Sequence, residues 1–239
     1  MMKNNLIILL VFCGLFSAKA QTLDDFFIQT DAFLKAHVAK GKVDYKAVKE
    51  NSETLTSILT IANKVSVTKA DAKNYQAFWI NAYNLSVIKG IVDNYPIASP
   101  LDKSGFFDKT TYSLAGKKVT LNTIENELLR GNFKDARFHF VLVCGAIGCP
   151  PLIAEAYMPK TLEAQLEQQT KLALNDDYFI KVNDKKETVA GSEIMKWYNE
   201  DFVQNGMTEI QFINKYRTNK IPENYKLTYF TYNWKLNKQ

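Results

Sequence analysis

From Gln21 to about Ala98 the apolar positions recur near helical spacing, and three helices are predicted. "TLDDFFIQTDAFLKAHVAKG" offers Thr22 as a cap, places acids in the first turn and ends at Gly41. "VDYKAVKENSETLTSILTIANKV" supplies the second helix, and "TKADAKNYQAFWINAYNLSVIKGIVDNYP" a third that stops before Pro96. The third is apolar and aromatic on all sides, the pattern of a helix buried at the centre of a fold.

After Ile97 the pattern breaks into turns and alternating segments. A hairpin is predicted through Ala115 and Gly116, then a helix over "TLNTIENELLRG" closed by Gly131. "RFHFVLVC" reads as a central strand, apolar on both faces, with His139 on the face of Val141 and Val143. "PKTLEAQLEQQTKLALND" is an amphipathic helix, and "YFIKVNDKKETVAGSEI" a hairpin turning at "NDKK". "GSEIMKWYNEDFV" and "GMTEIQFINKYR" read as helices, and the chain ends on the alternating strand "KLTYFTYNWKLN". The fold class expected is α+β, a helix-rich N-terminal half packed on a central antiparallel sheet.

Residues 1–20 change the picture of where the protein works. A lysine, the apolar run "LIILLVFCGLF" and the small residues of "SAKA" form a signal-peptide pattern with cleavage before Gln21. One domain over residues 21–239 is then expected to be exported, to a periplasm or outside the cell. Lipoprotein processing before Cys13 fits less well, because bulky Phe12 precedes it. No later segment is long and apolar enough for stable membrane insertion. Loss of Lys3 and Lys19 takes the formal charge from +5 down by two, to a balance that does not suit nucleic acid. At 46% hydrophobic and 13% aromatic residues the chain can bury a sizeable core.

The candidate chemistry lies in "GAIGCPPL". Cleavage leaves two cysteines, Cys144 and Cys149. Gly145 and Gly148 permit a sharp turn out of the strand, and Pro150 and Pro151 suit the start of a helical turn over "PPLIAEAY" with Cys149 as its cap. The positive end of that turn would favour a thiolate, although two prolines remove amide donors there. The chain has two histidines, His37 and His139, and His139 is the one beside the cysteine loop. A Cys149 and His139 pair for nucleophilic work stands against a Cys144–Cys149 disulfide, which five positions of separation allow. A zinc site has no suitable ligand spacing, and a thiol oxidoreductase lacks the usual two-residue gap. Asn81 and Asn84 share a face of the buried helix, where they would orient an imidazole, hold a carbonyl or satisfy backbone groups. Glu125, Arg130 and Arg137 are further polar candidates, as is the "KWYNEDF" cluster with Trp197, Tyr198 and Asp201. No nucleotide loop, metal motif, flavin or nicotinamide fingerprint occurs, so no cofactor is expected.

"YQAFWINAYN", "TLNTIENELLR", "ARFHFVLVCGAIGCPPL", "VAGSEIMKWYNEDF" and "YFTYNWKLN" together resemble the domain-of-unknown-function 547 family, in order and over nearly all of the exported chain. The resemblance marks as characteristic Trp79, Asn81, Asn84, Glu125, Arg130, Arg137, His139, Cys144, Cys149, Pro150, Trp197, Tyr198, Asp201 and Phe202. Family members often carry a histidine after the glutamate of "IE", where this chain has Asn126. By analogy with papain-like or transglutaminase-like folds, the residues suggest a thiol hydrolase or acyltransferase acting on a small-molecule or peptide substrate. Cys149 would be the nucleophile, His139 the base, and Glu125 or Asn84 its orienter, with Asn81, Arg137, Arg130 and Trp79 around the substrate. The alternative is a non-catalytic binding or interaction domain with a structural Cys144/Cys149 pair.

Overall fold

A computed structural model describes residues 22–239, so the signal-peptide reading of residues 1–20 lies outside the described residues. Helix α1 (Leu23–His37) begins where Thr22 accepts the Asp25 N–H and the Asp25 carboxylate takes the Thr22 N–H. It ends four residues before Gly41, because Lys40 (φ 51°) and Gly41 (φ 76°) adopt left-handed conformations. They form the turn between β1 (Val38–Ala39) and β2 (Lys42–Val43). Helices α2 (Tyr45–Glu50) and α3 (Glu53–Lys64) follow, and then α4 (Ala72–Asn94). Sixteen of the 23 residues of α4 are buried, so it has almost no solvated face. Polar side chains on such a helix must find protein partners.

The second half opens with the expected hairpin, β3 (Thr111–Leu114) and β4 (Lys117–Thr120) turning at Ala115 and Gly116. A π-helix (Thr123–Arg130), α5 (Gly131–Phe133) and a 3-10 helix (Ala136–Phe140) come next. Beyond the cysteine loop lie α6 (Leu162–Asn175) and the hairpin of β5 (Ile180–Asn183) and β6 (Thr188–Ser192). Helices α7 (Glu193–Trp197), α8 (Asn199–Phe202) and α9 (Glu209–Tyr216) precede β7 (Lys226–Phe230). The fold is α+β. The sheets among the described residues are small, and β7 joins β6 in parallel, so α4 rather than an antiparallel sheet occupies the centre.

Two local expectations are corrected. "RFHFVLVC" is no strand: Asp135 caps a 3-10 turn by accepting the Arg137 N–H, and Phe138, His139, Phe140 and Val141 are all buried. A short run buried on every side has no periodicity to separate the two conformations. "PPLIAEAY" forms no helix, so Cys149 is not the cap of a helix there and that segment brings no helix dipole to its sulfur.

What replaces the sheet partners is α4. Asn84 donates through Nδ2 to the Val141 carbonyl (2.9 Å) and accepts the Val143 N–H (2.9 Å). Asn81 donates to the Tyr157 carbonyl (2.7 Å) and accepts the Tyr157 N–H (3.0 Å). The chain's last residues brace the same segment from the other side. Ile147 and Gly148 donate to the Lys235 and Asn233 carbonyls, and Asn237 donates to that of Gly145.

Replacing Asn84 by Ala strands a buried carbonyl and a buried N–H. At about 1–3 kcal/mol for each group left without a partner, unfolding in urea should register a loss of roughly 2–6 kcal/mol. A loss below about 0.5 kcal/mol, the size of an ordinary surface change, would show that this amide does not hold the segment.

Candidate functional site

Arg130, at the end of the π-helix, donates through Nε to Asp201 Oδ2 (2.6 Å) and places its guanidinium 4.6 Å from the Tyr198 ring centre. Asp201, on α8, receives His139 Nε2 on the same oxygen at 2.6 Å. Burial by itself raises the pKa of Asp201. The hydrogen bonds from His139 and Arg130, with their charges, more than offset it and hold the carboxyl at about 2, below its ordinary 3.8. An ionised carboxylate only accepts, so His139 Nε2 carries the proton and Nδ1 is the basic nitrogen of the ring. The imidazole lies against Tyr198, ring centres 4.2 Å apart, and is 5% exposed.

A cavity of about 340 Å³ opens over this group. His139, Glu125, Cys144 and Cys149 all line it, within walls formed by Tyr83, Phe107, Trp197, Tyr198, Tyr232 and Trp234. Glu125 reaches it from the π-helix, whose wider turn is a feature that recurs at functional sites. The Tyr83 hydroxyl donates to Glu125 Oε2 (3.3 Å). Burial, followed by the charge of Glu125, pushes the pKa values of the Tyr83 and Tyr198 hydroxyls up.

The two sulfurs are bonded to each other. Cys149 is therefore no open thiol here, and attack on a carbonyl requires reduction first. The loop that carries the bond depends on its glycines. Gly145 sits at φ 84°, where a side chain is strained, and a Cβ on Gly148 would lie 2.7 Å from the Tyr232 ring. That ring brings the Tyr232 hydroxyl to 2.9 Å from each sulfur.

Of the sequence candidates, Cys149, His139 and Glu125 meet in the cavity. Asn84 and Asn81 do not line it, because their amides are engaged with backbone as described above. Asp201, not Glu125 or Asn84, is the group bonded to the imidazole. Arg130 serves Asp201, and Arg137 is held by Asp135 (2.7 Å) and Glu163 outside the cavity. Trp79 is a core residue, 1% exposed and packed on Phe78. Tyr83, Tyr232 and Trp234 carried no site reading in the sequence. The signal for Tyr232 and Trp234 was a run of aromatics at the chain's end, which alternation assigned to a strand.

The arrangement defines an α+β protein with an aromatic-walled cavity lined by both a carboxylate-oriented histidine and a cystine. Residues 67–172 match the model of the family described as "Protein of unknown function, DUF547". This range takes in the motifs from "YQAFWINAYN" to the cysteine loop, while "VAGSEIMKWYNEDF" and "YFTYNWKLN" fall beyond it. No curated protein and no solved structure matches the chain.

Asp201 also sets an expectation for acid. Its folded pKa lies below its unfolded one, so its contribution to stability is complete above about pH 4 and is lost as pH falls toward 2. Denaturation followed from pH 6 to pH 2 should show the wild type losing its advantage over Asp201→Asn across that window. An advantage that stays constant down to pH 2 would contradict the arrangement.

Proposed function

We propose that this protein is a cysteine-dependent hydrolase or acyltransferase that works in its reduced state, with Cys149 as nucleophile and His139 as base. The observation that carries the reading is the cavity shared by Cys149 and a histidine whose Nε2 is tied to an ionised Asp201. In the reduced protein His139 Nδ1 takes the Cys149 proton, and the thiolate attacks a carbonyl carbon. The imidazolium then protonates the leaving group, and water or an acceptor nucleophile releases the acyl group. Asp201 keeps the ring in the required tautomer and stabilises its charged form, and Arg130 holds Asp201. Glu125, with Tyr83 and Tyr198, offers polar contacts to one side of a small-molecule or peptide substrate, and the aromatic walls take an apolar part. Export, inferred from residues 1–20, places the protein where a cystine persists until a thiol reductant reaches it.

The bond between the sulfurs favours a second reading, a non-catalytic binding domain in which the cystine is part of the cavity wall. Acyl transfer separates the two. The reduced protein, given p-nitrophenyl acetate, should release nitrophenol and carry an acetyl group on Cys149, as mass spectrometry would show. The oxidised protein and Cys149→Ser should not. His139→Gln should slow acylation about 10²-fold or more, the usual contribution of a positioned base. Acetylation of reduced Cys149 no faster than that of a small thiol at the same pH would leave the binding reading in place.

A further inference from the structure

The two sulfurs of the cystine are not equivalent. Cys149 is 5% exposed, whereas Cys144 is only partly buried, and both border the cavity. Cys149 Sγ accepts the Cys144 backbone N–H at 2.9 Å and the Tyr232 hydroxyl at 2.9 Å. Cys144 Sγ faces the Tyr232 hydroxyl alone, also at 2.9 Å. The sulfur with two donors is the better place for negative charge, and the sulfur of the more exposed residue is the better point of attack.

Tyr232 is fixed for this role. Its own N–H donates to Glu193 Oε2 (2.7 Å), and its ring lies over Gly148 and against Trp197 and Trp234, ring centres 5.1 and 4.7 Å away. Burial, followed by the charges of Tyr198 and Glu125, pushes its pKa up, so the hydroxyl keeps its proton and donates.

We propose that the cystine is opened from the cavity by a low-molecular-weight thiol attacking Cys144, with Cys149 as the leaving sulfur and Tyr232 as the group that stabilises it. The incoming thiolate forms a new S–S bond to Cys144 Sγ, the Cys144–Cys149 bond breaks, and its electron pair passes to Cys149 Sγ. The charge that forms there is met by the Cys144 N–H and the Tyr232 O–H. A second thiolate then attacks the small molecule's sulfur in the mixed disulfide. It leaves as a small disulfide, and Cys144 takes up a proton. Two thiols are oxidised and one protein cystine is reduced. A small thiol is inferred because the cavity holds about 340 Å³ and its walls are built of bulky aromatics. The inference rests on the reading that the reduced form is the working one, since it describes how Cys149 is released with its charge already solvated.

The test needs no enzyme substrate, so an inactive reduced protein would leave its outcome standing. The oxidised full chain is treated with 2-mercaptoethanol, quenched early with acid and iodoacetamide, and digested for mass spectrometry. The mixed disulfide should sit on Cys144 in about tenfold or greater excess over Cys149, and Tyr232→Phe should slow opening about three- to tenfold. A Cys149→Ser chain, given hydroxyethyl disulfide, should trap the same adduct on Cys144. An adduct chiefly on Cys149, an even split, or opening of Tyr232→Phe at the wild-type rate would overturn the proposal.

Discussion

Two carboxamides on one face of a buried helix carry the rest of this structure. Asn81 and Asn84 stand three residues apart on α4 and hold the segment on either side of the cysteine loop, Asn84 at Val141 and Val143 and Asn81 at Tyr157. A segment buried between helices has no sheet ladder to satisfy its peptide groups, and each group left unpaired costs stability. The helix supplies the partners instead. Because that segment is fixed, His139 lies just before one clamp and the cystine just after it. The terminal tail closes the arrangement by taking the N–H groups of Ile147 and Gly148 and by carrying Tyr232.

The second constraint is electrostatic. Arg130, at the end of the π-helix, and His139, in the nearby 3-10 turn, converge on one carboxylate oxygen of Asp201 on α8, an element distant from both in sequence. Each partner lowers the cost of burying the others, because the carboxylate receives two donors and so stays ionised at about pKa 2. An ionised orienter fixes which ring nitrogen holds the proton. Cys149 has its own donors, the Cys144 N–H and Tyr232, independent of that chain of charges. The cavity thus combines a histidine held by an ionised carboxylate with a sulfur that receives two donors.

Much of the fold was legible in the chain. The cap of α1, the Ala115–Gly116 and "NDKK" turns and the all-round apolarity of α4 announce themselves through local rules, because each depends on neighbours a few residues away. "RFHFVLVC" was not legible, since a run buried on every side shows no periodicity and the side chain that takes up its end, Asn84, lies more than fifty residues earlier. The same holds for the site. Cys149, His139 and Glu125 could be chosen by chemistry alone. That Asp201 rather than Asn84 or Glu125 binds the imidazole, that Arg130 serves Asp201 and that Tyr232 touches both sulfurs are long-range pairings with no local signature.

The central claim, put forward as a proposal, is that in the reduced protein His139 takes the proton of Cys149. It is tested most directly by the pH dependence of Cys149 alkylation with iodoacetamide in the reduced protein. The account predicts a rate that stays high below pH 7 and falls only at lower pH, with His139→Gln returning the midpoint toward the value of about 8.5 typical of an unperturbed thiol. A wild-type midpoint at or above about 8.5, unchanged in His139→Gln, would contradict it.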